Sequence, residues 1–385
     1  MLKGTYPVEQ FKTLPTPFYY YDMDVLEKTL ETVLNESKKY DYHIHYAVKA
    51  NSNPRILSLI ASYGLGADCV SGGEIKAALD AGFKADSIVF AGVGKADWEI
   101  ELGLNEHIGS FNVESLAELQ VIDEIATSMN HTVNVSLRIN PDVDAHTHEK
   151  ITTGKKENKF GINLSMLDGV LSAMKDMKSI QFEGLHFHIG SQITDISAFQ
   201  NLAIRVNEVQ DKLESEGLVV RNINFGGGLG IDYYHPNHLP IPSFDRYFEA
   251  FSRLYNRRPN QQIHFEPGRS IVGQCGSLIS RVLYVKEGEL KNYVILDAGF
   301  TELIRPAMYD AYHRIENISS NGSLERYDIV GPICESSDVF AVDRELNKSK
   351  RNDLIAIRSA GAYGETMSSQ YNCRSLPSSY FSDLS

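Results

Sequence analysis

The chain has 385 residues, 42% hydrophobic and 23% charged, a globular balance with room, at roughly 100–200 residues per domain, for two or three domains or one large barrel with an appendage. Its four cysteines, Cys69, Cys275, Cys334 and Cys373, are scattered without a C-x-x-C pair, which excludes a disulfide scaffold and a zinc ribbon and fits a reducing cytoplasm. A net charge of −13, from 37 basic and 50 acidic residues, opposes general nucleic-acid binding. Residues 1–7 lack the apolar core of a secretory signal, and no apolar run approaches the ~18 residues of a membrane helix, so no membrane association is expected.

In chain order, strand-like runs at 43–50, 66–71, 87–92, 107–113, 133–140, 181–190, 222–228 and 263–266 alternate with helical patterns such as 54–63, 73–81, 114–129 and 196–216. Alternation of this kind predicts parallel βα units. Eight of them fit a (β/α)8 TIM barrel of ~250 residues, expected over 23–272, with a doubly wound open sheet as the alternative. Beyond 272 the pattern changes to strands at 271–286, 293–298, 326–333 and 353–362, separated by polar turns and no long amphipathic helix. This predicts an all-β C-terminal domain. The strand-like run at 17–22 is expected to join it, so that 1–22 and 273–385 form one β-domain.

Five clusters carry chemistry. Lys49 ends the strand Tyr46-Ala47-Val48-Lys49-Ala50-Asn51; at the C-terminal end of a barrel strand a lysine can bond to a carbonyl, or simply be a surface lysine. In Leu185-His186-Phe187-His188-Ile189-Gly190-Ser191, period-2 spacing puts His186 and His188 on one face, where His188 could meet a bound ring, pair with its neighbour as metal ligands, or pack. His43/His45 and His146/His148 repeat that spacing without further ligands nearby in sequence, and no metal is expected. Gly226, Gly227 and Gly228 follow a strand and could bring backbone N–H groups to a phosphate or make a tight turn; they form neither a dinucleotide fingerprint nor a Walker loop. Glu266-Pro267-Gly268-Arg269 brings a carboxylate and a guanidinium to the next strand end, for a heterocyclic nitrogen and an anion or for an ion pair closing the barrel. Finally, Arg305 and Tyr309, Cys334 and Glu335, and Tyr363 lie in the β-rich part; Cys334 there is an exposed proton donor or a small buried hydrophobe.

Together these motifs resemble the fold-type III pyridoxal-phosphate decarboxylases, which join an alanine-racemase-like barrel to a β-domain. The resemblance runs from about Pro17 to Arg374. Y-A-V-K-A-N, H-x-H-I-G-S-Q and E-P-G-R carry it, and R-P-x-x-Y, C-E-S-S-D and G-A-Y-G narrow it toward members acting on a diamino dicarboxylate. The resemblance implies pyridoxal 5'-phosphate as cofactor and decarboxylation of meso-2,6-diaminopimelate to L-lysine. It implies that Lys49 bonds to the cofactor, that His188 stacks on its ring, that Glu266 contacts the pyridine nitrogen, and that Ser191, Gly226, Gly227, Gly228, Pro267, Gly268 and Arg269 cradle the phosphate with Tyr363 nearby. Arg269, Arg305 and Tyr309 match groups that hold substrate carboxylate, and Glu335 matches the partner of the distal amino group, with Tyr363 also on the substrate side. Cys334 matches the acid that protonates the carbon left by CO2. Asp68 and Arg138 align with polar residues near the cofactor. Cys334 and Glu335 would come from a second subunit, which implies a homodimer with shared active sites. One departure stands out: the chain stops at Ser385, where members of the family carry a longer tail with a further strand. The rivals are a decarboxylase of ornithine, arginine or carboxynorspermidine, a non-catalytic barrel that binds the same cofactor, and a metal-dependent barrel hydrolase.

Overall fold

The computed structural model describes residues 6–143 and 159–383. The His146/His148 pair lies outside them. The chain divides into two compact units: Leu30–Gly230 with Ser243–Gly268, and Met1–Thr29 with Ile231–Pro242 and Arg269–Ser385.

Seventeen strands are described. β1 (Phe18–Tyr21) belongs to the second unit. The first unit contains β2 (Tyr42–Ala47), β3 (Gly66–Cys69), β4 (Ile88–Phe90), β5 (Ser110–Val113), β6 (Val133–Asn140), β7 (Ile162–Asn163), β8 (Ile180–His186), β9 (Asn222–Asn224) and β10 (Gln262–Phe265). Eight of these pair in parallel in the order β5-β4-β3-β2-β10-β9-β8-β6, and β5 pairs with β6 to close the barrel; β7 adds only two residues beside β6. All eight expected barrel strands are present, though most are shorter than read. Lys49 does not continue β2 but sits in a 3-10 turn, Val48–Ala50, and β8 stops at His186, so His188 lies beyond the strand.

Several of the helices between strands start on side-chain caps. Asn53 accepts from the Arg55 N–H with Pro54 at the first helical turn, Ser71 caps Gly72–Asp80, and Ser115 caps Leu116–Ser128. Each of these caps follows a barrel strand closely and holds the loop between them. On the barrel's outer face the helix Phe244–Leu254 buries Phe244, Tyr247, Phe248 and Phe251, the i, i+3, i+4, i+7 stripe of a core-facing helix. Phe251 packs at 4.4 Å from Phe225 and 5.0 Å from Phe265, between ring centroids.

With Phe265 outward, the period-2 alternation of β10 turns His264 inward. His45 Nδ1 lies 3.1 Å from the Ser87 carbonyl and His45 Nε2 2.9 Å from His264 Nδ1. The carbonyl can only accept, so neutral His45 donates from Nδ1, His264 donates from its own Nδ1, and His264 Nε2 keeps a buried lone pair without a partner. Burial lowers both imidazole pKa values below 6.5, against the pull of Glu266; His43, stacked on His264, lowers them further.

The second unit is a mixed sheet. β11 (Gly276–Glu287), β12 (Asn292–Leu296), β13 (Ile315–Asn317), β14 (Leu324–Val330), β15 (Val339–Asn347) and β16 (Leu354–Ile357) run in the order β13-β16-β11-β12-β14-β15. β1 pairs antiparallel with the start of β11 and parallel with β17 (Ser378–Phe381). Phe11, Phe18, Tyr20, Ile279, Leu354 and Ala356 form a core under β1.

Two expectations for this unit need correction. The strand read from 271 starts only at Gly276, because Arg269–Val272 is a short helix whose Arg269 carbonyl accepts from the Gly273 N–H. β15 is absent from the strands expected, and its last residues, 344–347, fall in a stretch expected as a polar turn. It is an outer strand, paired only with β14, whose exposed face carries the Arg326–Asp343 and Arg326–Glu345 ion pairs. Charge is what an open sheet edge tolerates, and it masks the strand pattern.

Phe251→Ala should destabilise the barrel by about 3–5 kcal/mol, because the ring leaves a cavity among fixed aromatics; an unfolding-midpoint shift well under 1 kcal/mol would show that the site collapses. The histidine pair predicts a pH signature. Depressed imidazole pKa values contribute stability that is fully present above about 6.5 and is lost as pH falls toward the folded-state values. The melting-temperature gap between the native chain and a His45→Gln/His264→Gln double variant should therefore narrow from pH 7.5 to pH 5; a constant gap would contradict the neutral pair.

Candidate active site

The C-terminal ends of the barrel strands gather a buried polar cluster. Its centre is Glu266, one residue beyond β10 and 5% exposed. Oε1 accepts from Asn112 Nδ2 at 3.3 Å and from Asn224 Nδ2 at 2.6 Å, and Oε2 pairs with His186 Nε2 at 2.9 Å. Burial alone would raise this carboxyl; His186 and its hydrogen bond, with Lys49 and His45 farther off, outweigh burial and hold it well below the usual carboxylate range. A carboxylate offers about four lone-pair sites. With three taken, Glu266 keeps room for one further N–H.

Lys49 points its Nζ to Asp68 Oδ2 at 3.3 Å, and Asp68 Oδ1 is buried with no hydrogen-bond partner. Burial and the nearby Glu266 raise the Asp68 pKa, and Lys49 offsets this in part. His188, half-buried, accepts the Gly227 N–H at Nδ1, 3.3 Å away. Burial, then Arg138 and Lys49, push its pKa well below 6.5, so the ring is neutral with its proton on Nε2. Arg138 is paired with Glu114 at 2.7 Å and lies over the Phe160 ring at 4.7 Å.

The three glycines are required by neighbouring backbone. A Cβ on Gly226, which has φ +69°, would lie 2.3 Å from the Phe187 carbonyl, and one on Gly227 would lie 2.2 Å from that of Glu266. The Gly226 N–H donates to Asn224 Oδ1 at 2.9 Å, so Asn224 ties the loop to Glu266. With Gly227 engaged by His188, the N–H of Gly228 is the one of the three without an acceptor among the described residues. Ser191 is half-buried on the neighbouring loop.

These residues fit pyridoxal phosphate: a primary amine, a neutral imidazole, an ionised carboxylate with spare acceptor capacity, an unsatisfied Asp68 oxygen and a glycine N–H left for an anion. Among the described residues no group of three or more His, Cys, Asp or Glu is placed to hold a metal ion.

The second unit holds the other candidates. Arg269 and Arg305 are each 5% exposed, and each donates from Nη1 to the Tyr233 hydroxyl oxygen, at 2.6 and 2.7 Å. Arg269 also lies 4.8 Å from the Tyr363 ring centroid. Tyr309 is half-buried at the end of the helix Arg305–Tyr309. Cys334 and Glu335 are exposed; the Cys334 N–H donates to Asn372 Oδ1, and Glu335 accepts from the Tyr371 hydroxyl at 2.7 Å. Sequence reasoning missed Asn112, Asn224, Tyr233 and His313. Asn224 had a signal, a polar residue ending a strand immediately before the glycines; the other three had none, being ordinary residue types far from their partners in sequence.

The chain is similar to known proteins along its length. The pyridoxal-dependent decarboxylase, pyridoxal binding domain matches residues 24–273. Diaminopimelate decarboxylase of Bacteroides thetaiotaomicron is 60% identical over 383 residues, covering 99% of both chains. The Zymomonas mobilis enzyme of that name is 42% identical, over 94% of this chain and 86% of its own. The crystal structure of diaminopimelate decarboxylase from Helicobacter pylori complexed with L-lysine superposes with a TM-score of 0.91 at 40% identity, covering 97% of this chain and 93% of that one. With the family's pyridoxal domain spanning the barrel and relatives of this identity along its whole length, the chain belongs to the diaminopimelate decarboxylases, pyridoxal-phosphate-dependent lyases.

Proposed function

We propose that release of CO2 from meso-2,6-diaminopimelate, leaving L-lysine, is organised in this chain around Glu266. The observation that carries the reading is a buried carboxylate kept ionised by His186, Asn112 and Asn224 just beyond β10, the strand that pairs with β2 ahead of Lys49. Pyridoxal phosphate, when bound, supplies the electron sink for the pair left on the α-carbon as CO2 departs. Glu266 holds a proton at the pyridine nitrogen, which keeps that sink strong. Lys49 holds the cofactor's aldehyde carbon, with Asp68 as acceptor for the amine. His188, neutral and flat, covers the ring without adding charge beside a cation. The Gly228 N–H, with Ser191 and the backbone of Pro267, Gly268 and Arg269, holds the phosphate, and Tyr363 is assigned to the cofactor with them.

Arg269, Arg305 and Tyr309 hold the substrate's distal carboxylate, and Glu335 its distal amino group. Arg305 is buried with no carboxylate partner among the described residues, so an ornithine-like substrate without a second carboxylate would leave that charge unanswered, which is a strong basis for rejection. Cys334 delivers the proton to the α-carbon. Its exposure and that of Glu335 support a homodimer in which both serve the partner's substrate. No helix among the described residues is long and apolar enough to cross a membrane, and four free thiols suit a reducing cytoplasm.

Purified holoenzyme should carry a visible absorption band that Lys49→Ala abolishes; a band retained in that variant would remove Lys49 from cofactor attachment. Cys334→Ala should keep the band and slow turnover by about 10²–10⁴-fold, the range of general acid catalysis; unimpaired turnover would remove the thiol from the reaction. CO2 release should require meso-diaminopimelate, and comparable release from ornithine would overturn the substrate assignment.

A further inference from the structure

The two arginines assigned to the distal carboxylate do not stand alone. Both donate to one oxygen, the Tyr233 hydroxyl, from Arg269 Nη1 at 2.6 Å and Arg305 Nη1 at 2.7 Å. Tyr233 is 6% exposed. Arg305 Nη1 also lies 3.1 Å from His313 Nε2, and His313 Nδ1 lies 2.9 Å from the Arg358 carbonyl. An arginine only donates and a carbonyl only accepts, so His313 is the Nδ1–H tautomer with its Nε2 lone pair on Arg305. Burial and then Arg305 lower its pKa to about 3, so it stays neutral. The Tyr233 ring meets the His313 ring edge-on at 5.0 Å, and the Arg305 guanidinium lies 5.1 Å from the centre of the Tyr233 ring.

Two buried guanidinium groups would repel one another and turn apart without a shared acceptor. The Tyr233 oxygen supplies that acceptor, and its two lone pairs fix the spacing between the cations. Burial raises the hydroxyl's pKa, but the two arginines outweigh it and lower it below 10, so the oxygen carries enhanced negative character between them. Arg305 has no carboxylate partner among the described residues, and a guanidinium fork matches a ligand carboxylate.

We propose that Tyr233 is a positioning residue that sets substrate specificity: by holding Arg269 and Arg305 at a fixed separation it prepares them for a second carboxylate and disfavours amines that lack one. This rests on the assignment of the two arginines to the distal carboxylate. Tyr233 touches neither the cofactor nor the reacting carbon in this role, so its removal acts on binding of the carboxylate end.

L-Lysine keeps the distal carboxylate after CO2 has gone, whereas cadaverine is the same diamine chain without it. Inhibition by each is measured on holoenzyme of the native chain, Tyr233→Phe and Arg305→Met, with KM and kcat for meso-diaminopimelate. Tyr233→Phe should weaken L-lysine inhibition and raise KM by about tenfold or more, the equivalent of one charge-assisted hydrogen bond to the ligand carboxylate, with cadaverine inhibition unchanged and kcat falling less than KM rises. A Tyr233→Phe enzyme that discriminates lysine from cadaverine as the native one does, while Arg305→Met does not, overturns the proposal and leaves the arginine assignment standing. Unchanged lysine inhibition in Arg305→Met overturns both. Equal weakening of lysine and cadaverine inhibition in Tyr233→Phe marks general damage to the site and also overturns it. Should Tyr233→Phe yield no folded holoenzyme, Tyr233→Asn, too short to reach both guanidinium groups, is read with the same two inhibitors.

Discussion

The ionised Glu266 carboxylate is the constraint around which the barrel interior is arranged. A charge buried in a protein is costly unless its lone pairs are answered, and here three side chains on three other strands or strand ends answer them: Asn112, Asn224 and His186. Those donors have obligations of their own. Asn224 turns its carbonyl oxygen to the Gly226 N–H, so the acid and the glycine loop are set by one side chain. The glycine loop in turn positions His188 through the Gly227 N–H. A change in the state of Glu266 would therefore be felt at the imidazole and the loop without any backbone movement to carry it.

The second unit solves a related problem with the opposite sign. Arg269 and Arg305 are buried cations, and a phenol oxygen and a neutral imidazole hold them in place of a fixed carboxylate on Arg305. A permanent acidic partner would stabilise the arginine more and leave less for a ligand; a weak acceptor orients the charge and leaves most of its attraction available. The global charge of −13 conceals this locally basic pocket of residues.

Much of this was legible in the chain. The alternation of apolar runs with amphipathic segments foretold the eight-stranded barrel, and Lys49, His188 and Glu266 stood out because strand-end residues of a barrel share one face. What stayed hidden has physical reasons. Asn112 lies 154 residues and Asn224 42 residues from Glu266, and nothing local announces that two amides and an acid will meet. Tyr233 and Arg305 are 72 residues apart. β15 escaped notice because an exposed sheet edge is written in charged residues, and the 271–275 segment was read as strand because Ile271, Val272 and Cys275 are apolar whether they sit in a helix, a turn or a sheet.

The pairing of β1 with both β11 and β17 has a consequence for biosynthesis. β1 comes early in the chain, yet its parallel neighbour is residues 378–381. During synthesis the whole barrel sequence has left the ribosome before that strand exists, so the barrel can close while Phe18–Tyr21 still waits with one edge open. The β unit is therefore completed after the barrel, from an early and a late segment of the chain, and a ribosome that stalls late leaves a finished barrel and an unfinished sheet with an exposed aromatic strand, the kind of edge that chaperones recognise and aggregates recruit.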